Sequence, residues 1–272
     1  MHVLPASPDA FIRLVEARLH HGASTTFGFS ANGDLRRLSA VLFLLSAGSD
    51  GNPHLILNKR SRHVPQPGDL CCPGGGIAAS MDPLLAKGVD LPSMPLRRWS
   101  QGSWWRRHRR ADHSKLALLL AAALREGFEE MRLNPLKVKF LGPMHAEHLV
   151  MFKRAIYPLA AWIDHQQRFF PNWEVEKIVR IPMAAFFDAG NYARYRISFD
   201  SGVAGTPGAL VRDLPCFVQR HNGEVELLWG ATYRIVEQFL NTIFDYVPPP
   251  LASLPVIRRR LGRHYLEGEP RR

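Results

Sequence analysis

Arg125-Glu126-Gly127-Phe128-Glu129-Glu130 is the stretch on which the reading turns. It lies within Ser114 to Leu133, a run rich in leucine and alanine that reads as a strong helix and is stopped by Pro135. Glu126, Glu129 and Glu130 stand at i, i+3 and i+4, so their carboxylates share one helical face. Carboxylates clustered in this way repel one another by roughly a few tenths of a kcal/mol per pair, and something must offset that. A hard cation does so, since Mg²⁺ takes carboxylates together with phosphate oxygens. Taken alone, the hexapeptide reads better as a solvated glutamate-rich face. The context upstream changes that: Pro73-Gly74-Gly75-Gly76 is a loop whose backbone can approach a phosphate or metal closely.

Working outward, Pro8–Leu19 has apolar residues at helical spacing (Phe11, Leu14, Val15, Leu19). Ser39–Leu45 reads as a buried strand, and His54–Asn58 follows it across the turn signal Ser49-Asp50-Gly51-Asn52-Pro53, predicting a hairpin. From about 77 to 113 no period is visible, and this stretch reads as an insertion between the glycine loop and the glutamate helix. Beyond the helix, strand-like segments recur at Val138–Leu141, Ala155–Ile163, Lys177–Ile181, Tyr195–Phe199, Cys216–Gln219 and Val225–Trp229, with His221-Asn222-Gly223 turning between the last two. Gly230–Tyr246 returns to helical spacing. The pattern predicts an α+β fold, a mixed sheet packed between helices, as a single domain over 1–250. Residues 251–272 read as a basic, loosely held tail.

With 46% hydrophobic and 22% charged residues over 272 positions, the chain can bury a sizeable core. Its three cysteines, Cys71, Cys72 and Cys216, include no CxxC, which argues against a disulfide framework and fits a reducing, cytoplasmic setting. No signal peptide is expected at Met1–Pro5, and the apolar runs are too short to span a bilayer. Cys71 and Cys72 read as buried small residues rather than nucleophiles. A net charge of +11 favours anionic partners. It is concentrated at Arg97, Arg98, Arg106, Arg107, Arg109 and Arg110, interleaved with Trp99, Trp104 and Trp105, and again at Arg258–Arg260, Arg263, Arg271 and Arg272. The plainest reading of the insertion is a surface excursion whose tryptophans pack on the domain. The second is a lid over the active site. Binding of nucleic acid or an acidic membrane surface is a further, less favoured reading.

Glycines followed by a helix bearing Arg-Glu-x-x-Glu-Glu resemble the Nudix box, G-x5-E-x7-R-E-U-x-E-E-x-G-U with U aliphatic. This chain departs from the pattern in several places. Gly75 and Arg125 are 50 positions apart where the pattern has 14, so the loop carries about 36 extra residues. Counting back from Arg125 for the first glutamate lands on Ala117. Gly127 replaces a larger residue, and Arg132 stands at the closing glycine, before the aliphatic Leu133. The resemblance extends to the coenzyme A diphosphatase branch. Asn58-Lys59-Arg60-Ser61, Gln66-Pro67-Gly68 and Cys72-Pro73-Gly74-Gly75 look like that branch's motif before the box. Asn172-Trp173-Glu174-Val175, Ile181-Pro182-Met183, Leu214–Phe217 and Trp229–Ile235 look like its later segments.

The resemblance implies a hydrolase for a small-molecule nucleotide, cleaving the diphosphate of coenzyme A or acyl-coenzyme A to 3′,5′-ADP and 4′-phosphopantetheine. It implies Mg²⁺ or Mn²⁺ on Glu126, Glu129 and Glu130, with Arg125 bracing the glutamates. Gly74, Gly75 and Gly76 would contribute backbone to the metal or phosphate site, and Arg60 would meet a substrate phosphate. Alternatives are a Nudix hydrolase of ADP-ribose or NADH, and a binding module of the same fold with little or no catalysis. Arg60 reads equally as a solvated surface arginine, and Glu174 reads better as a strand-end carboxylate than as a further acid group. No sequence feature specifies an oligomer.

Overall fold

Helix α1 (Pro8–Thr26) precedes strands β1 (Leu38–Ala47) and β2 (Pro53–Arg60) and the short strands β3 (Leu70–Cys71) and β4 (Gly74–Gly76). Three short helices, α2 (Asp82–Gly88), α3 (Pro95–Arg98) and α4 (Gly102–His108), lead into the long α5 (Arg110–Met131). Then come β5 (Val138–Pro143), β6 (Glu147–Leu149), β7 (Arg154–Ile163), β8 (Val175–Pro182), β9 (Tyr192–Phe199), β10 (Val211–His221) and β11 (Glu224–Trp229). Helix α6 (Gly230–Phe244), strand β12 (Val256–Leu261) and helix α7 (Arg263–Glu267) complete the order. The structure is a computed structural model and describes residues 4–26, 35–149, 154–166, 168–199, 211–221 and 223–270.

Strand β1 organises the larger sheet. It forms the expected hairpin with β2, with Leu44 opposite Ile56, and runs parallel to β7, with Leu42 opposite Leu159. Its side chains alternate between two cores, as a strand buried on both faces requires. Leu38, Ala40, Leu42 and Leu44 pack with α5, while Phe43 and Leu45 pack with α1 and α6. The sheet thus lies between helices, the α+β arrangement expected, with parallel and antiparallel pairs mixed. A second sheet, in the order β11-β10-β9-β12, was not separated in the sequence reading. Its Tyr192, Phe217 and Leu228 join the α1–α6 core, and its Tyr195, Ile197 and Val218 form a smaller one. The predicted turn between β10 and β11 has Gly223 at φ 79°, while Asn222 lies outside the described residues.

Two expectations are corrected. The stretch 77–113 is not irregular: it folds as three helices of four to seven residues, too short to display a period, and α5 begins at Arg110 rather than Ser114. Prolines sit in the first turns of α2 and α3, where no amide partner is lost. Trp99 and Trp105 are buried against α5 and β5, and the Trp99 indole donates to the Leu141 carbonyl at 3.1 Å. Each buried indole removes about 150–250 Å² from water, roughly 4–6 kcal/mol. These side chains therefore hold the insertion to the domain and do not form the flat face of a lid. The 251–270 segment is not loose either. Strand β12 pairs with β9, Leu254, Leu261 and Tyr265 are buried, and α7 docks on residues 62–69. Among the described residues no helix is long and apolar enough to cross a membrane.

Candidate active site

The glycine loop is a strand. Gly74, Gly75 and Gly76 of β4 pair with Val41, Ala40 and Ser39 of β1, which holds them beneath the last turns of α5. Gly74 has φ 138°, and a Cβ there would lie 2.4 Å from the Ala40 carbonyl oxygen. A Cβ at Gly75 would lie 2.7 Å from the carboxyl carbon of Glu126. Glycine is thus what lets helix carboxylates lie against strand backbone. The Gly74 amide donates to Glu130 Oε2 at 3.0 Å, and Asn58 Nδ2 donates to the same oxygen at 2.9 Å. Burial, reinforced by the neighbouring Glu126 and Glu174, pushes Glu130 up to about 8 against the pull of the Gly74 amide. Burial also raises Glu126, against the pull of the adjacent Arg125. Glu129 is half exposed and meets Arg125 Nη1 at 3.2 Å.

Arg125 is held from several sides. Its Nε donates to Asp82 Oδ1 at 2.8 Å, and its Nη2 donates to Asp82 Oδ2 at 3.2 Å and to the Gly76 carbonyl at 3.0 Å. Its Nη1 also lies 3.0 Å from Glu126 Oε1. Asp82 is fully buried and accepts in addition from the Ala78 amide at 2.7 Å. Its hydrogen bonds are the largest cause of the raised affinity of Arg125 for its proton. The sequence reading missed Asp82. Counting back from Arg125 stays within α5 and reaches Ala117, which belongs to the core. Asp82 lies six positions after Gly76, one residue on from the Gly75 used for the spacing above.

Beside Glu130 opens a pocket of about 290 Å³, lined in part by Asn58, Arg60, Cys71, Trp173 and Glu174. Arg60 is steadied by donating from Nε to the Pro65 carbonyl at 2.7 Å. The segment carrying Glu174 is pinned to α5 through the Asn172 amide on the Glu130 carbonyl at 2.8 Å. The donor chemistry fits a hard divalent cation: Glu126, Glu130 and Glu174 are mutually repelling oxygen donors, and Asn58 Oδ1 is buried without a hydrogen-bond partner. Among the described residues no three His, Cys, Asp or Glu side chains already converge in a metal-holding group. Two glycine contacts run to the helix: the Gly74 amide to Glu130 and the Gly76 carbonyl to Arg125. Burial raises the thiols of Cys71, to about 12, and Cys72. In the late segment, Trp229 donates to Asp69 Oδ1 at 3.1 Å and Arg234 pairs with Glu147 at 2.7 Å.

No family model and no curated protein matches the chain. Solved structures overlap it in part. A MutT/Nudix family protein from Enterococcus faecalis aligns over 89% of this chain and 76% of its own, at 11% identity and a TM-score of 0.42. A Nudix hydrolase from M. smegmatis covers 54% of this chain and 71% of its own, at 13% identity and 0.35. The Nudix domain of NrtR from Shewanella oneidensis, solved with ADP-ribose, covers 60% and 83%, at 15% and 0.34. These are low similarities of shape, and they bear on neither reaction nor substrate.

Proposed function

We propose that the chain is a Nudix-type hydrolase that cleaves the diphosphate linkage of a nucleoside-diphosphate derivative with Mg²⁺ or Mn²⁺. One observation carries the reading: Glu126 and Glu130 lie against a glycine strand, beside a pocket that also holds Arg60 and Glu174. Glu126, Glu129 and Glu130 would hold the cation, with Glu174 and Asn58 Oδ1 as further oxygen donors. A divalent ion so held supplies charge neutralisation at the phosphate and a water of lowered pKa. The chain's own residues do the positioning. Asp82 fixes the Arg125 guanidinium, Arg125 orients Glu126 and Glu129, and Asn58 with the Gly74 amide orients Glu130. Arg60 offers a cation to a phosphate oxygen at the pocket. Coenzyme A or acyl-coenzyme A is the substrate the reading favours, supported by the motif resemblances around Arg60 and Trp229–Thr232.

A hydrolysis screen over coenzyme A, ADP-ribose, NADH and dinucleoside polyphosphates tests this. We expect metal-dependent release of 3′,5′-ADP from coenzyme A, lost in EDTA. Glu126→Gln and Glu130→Gln should lower turnover by about two orders of magnitude or more while the fold is kept. A clear preference for ADP-ribose or NADH would replace the substrate. Binding of nucleotides with no hydrolysis of any would replace the enzyme with a binding module.

A further inference from the structure

The last segment before β8 places a large aromatic side chain at the pocket wall. Trp173 is 45% exposed, yet it lines the same pocket as Glu130 and Arg60. Its neighbours are fixed: the Asn172 amide donates to the Glu130 carbonyl at 2.8 Å, the Glu174 amide to Asn172 Oδ1 at 2.8 Å, and the Ser61 amide to the Glu174 carbonyl at 2.8 Å. The indole is therefore carried on a short segment tied both to the glutamate helix and to the end of β2. An indole at a pocket wall, carried on a fixed stretch of backbone, offers a flat apolar face to a ligand. In the same lining, Arg60 supplies a cation for an anion, while Val64 and Pro65 add apolar surface.

We infer that Trp173 is the stacking platform for the nucleoside end of the substrate, with Arg60 meeting the adjacent phosphate. This rests on the hydrolase reading above and assigns the base-binding part of that site. The chemistry sets the orientation. Only the base of a nucleotide is a planar ring that matches an indole face, whereas a pantetheine arm is a flexible chain. The pocket volume, about 290 Å³, is at the small end for ligand sites, so it takes one end of such a substrate and leaves the other outside. Stacking of this kind tolerates base identity, because every base has a π-face. The pocket therefore selects for a base and a phosphate together, with weak preference among purines.

Calorimetric titration of the full chain with adenosine 5′-monophosphate and with ribose 5-phosphate, which differ by the base, tests the assignment. The parent should bind the nucleotide at least tenfold more tightly. Trp173→Ala should lose about tenfold in nucleotide affinity and nothing in ribose 5-phosphate affinity, from a typical stacking contribution. Trp173→Phe, which keeps an aromatic face, should recover most of that loss, and Arg60→Ala should weaken both ligands. Unfolding temperatures of the variants within a degree or two of the parent establish that they fold. Equal affinity of the parent for the two probes, no measurable nucleotide binding, or unchanged nucleotide affinity in Trp173→Ala overturns the inference. The two readings fail separately. Hydrolysis with KM unmoved by Trp173→Ala removes the platform and keeps the enzyme. Trp173-dependent nucleotide binding without hydrolysis of any diphosphate removes the enzyme and keeps the platform.

Discussion

Arg132 takes the left-handed conformation that ends α5, at φ 56°, where the resembled pattern has glycine. Its amide donates to the Phe128 carbonyl at 3.0 Å, and the Leu133 amide donates to the Gly127 carbonyl at 3.2 Å, closing the helix. A side chain costs about 1–2 kcal/mol in that conformation. Stacking of the guanidinium over Phe128, 5.0 Å from the ring centre, returns part of it, about 0.5–1 kcal/mol at an exposed site. Arg132→Gly should therefore stabilise the chain by roughly 0.5–1 kcal/mol, raising Tm by about 1–4 °C. Arg132→Ala, which keeps the strain and loses the stacking, should lower it. Thermal scans of the two variants must move in opposite directions, and a common sign would contradict this account. Gly127, the other departure in the box, has a packing cause: a Cβ there would sit 2.9 Å from Leu133 Cδ2, with Leu42 of β1 also in contact range.

The insertion shows how one composition supports two placements. Beside the plainer reading as an excursion packed on the domain, which buried Trp99 and Trp105 bear out, its arginines and tryptophans also allow a reading as a substrate-binding lid. Yet Arg106 pairs with Asp90 at 3.1 Å, Arg109 with Asp112 at 2.8 Å, and Arg98 donates to the Leu136 and Val138 carbonyls, both at 2.9 Å. Arg107 and Arg110 are exposed. Arg110 opens α5 and Arg125 lies fifteen residues along it, so the two are separated by ~22 Å at 1.5 Å per residue. That is about twice the Debye length of ~10 Å at 0.1 M salt. Changing Arg107 and Arg110 together to alanine should leave kcat and KM within about twofold of the parent at that ionic strength. A severalfold rise in KM that salt also produces in the parent would restore the lid. What the insertion does give the site is Asp82, the buried carboxylate that fixes Arg125.

Asp69 links three distant parts of the molecule. It precedes β3, accepts from the Trp229 indole at the end of β11, and accepts from the Tyr265 hydroxyl of α7 at 2.5 Å. Burial raises its proton affinity, against the pull of those two hydrogen bonds. The sign of the linkage follows. Above the ordinary aspartate value of 3.8 the unfolded chain has lost this proton while the folded chain still holds it. The folded state then binds more protons, so this group's contribution to stability falls as pH rises from 3.8 through the raised folded value. Asp69→Asn, neutral throughout, should flatten the dependence of Tm on pH across that window. Parallel Tm profiles for parent and variant would place the coupling elsewhere. Because α7 docks on the loop that lines the pocket, the basic tail belongs to the architecture around the site.

Helices α5 and α6 were legible because a helix writes its period into neighbouring positions: Tyr233, Val236, Phe239, Leu240 and Ile243 of α6 are all buried. The longer strands were legible as short apolar runs, but β4, read as a loop, and β12, read as a loose tail, were not. The shared face of Glu126, Glu129 and Glu130 was legible because it depends only on helical geometry. The contact of Asp82 with Arg125 spans 43 positions, and nothing local to either residue announces it. The pairing of β12 with β9 and the burial of Trp99 and Trp105 are likewise matters of which apolar faces find one another. Trp173 gains its meaning only from the pocket around it. Local periodicity follows from backbone geometry and is carried by adjacent residues. Distant contacts follow from burial, which many sequence arrangements satisfy and only the folded chain selects.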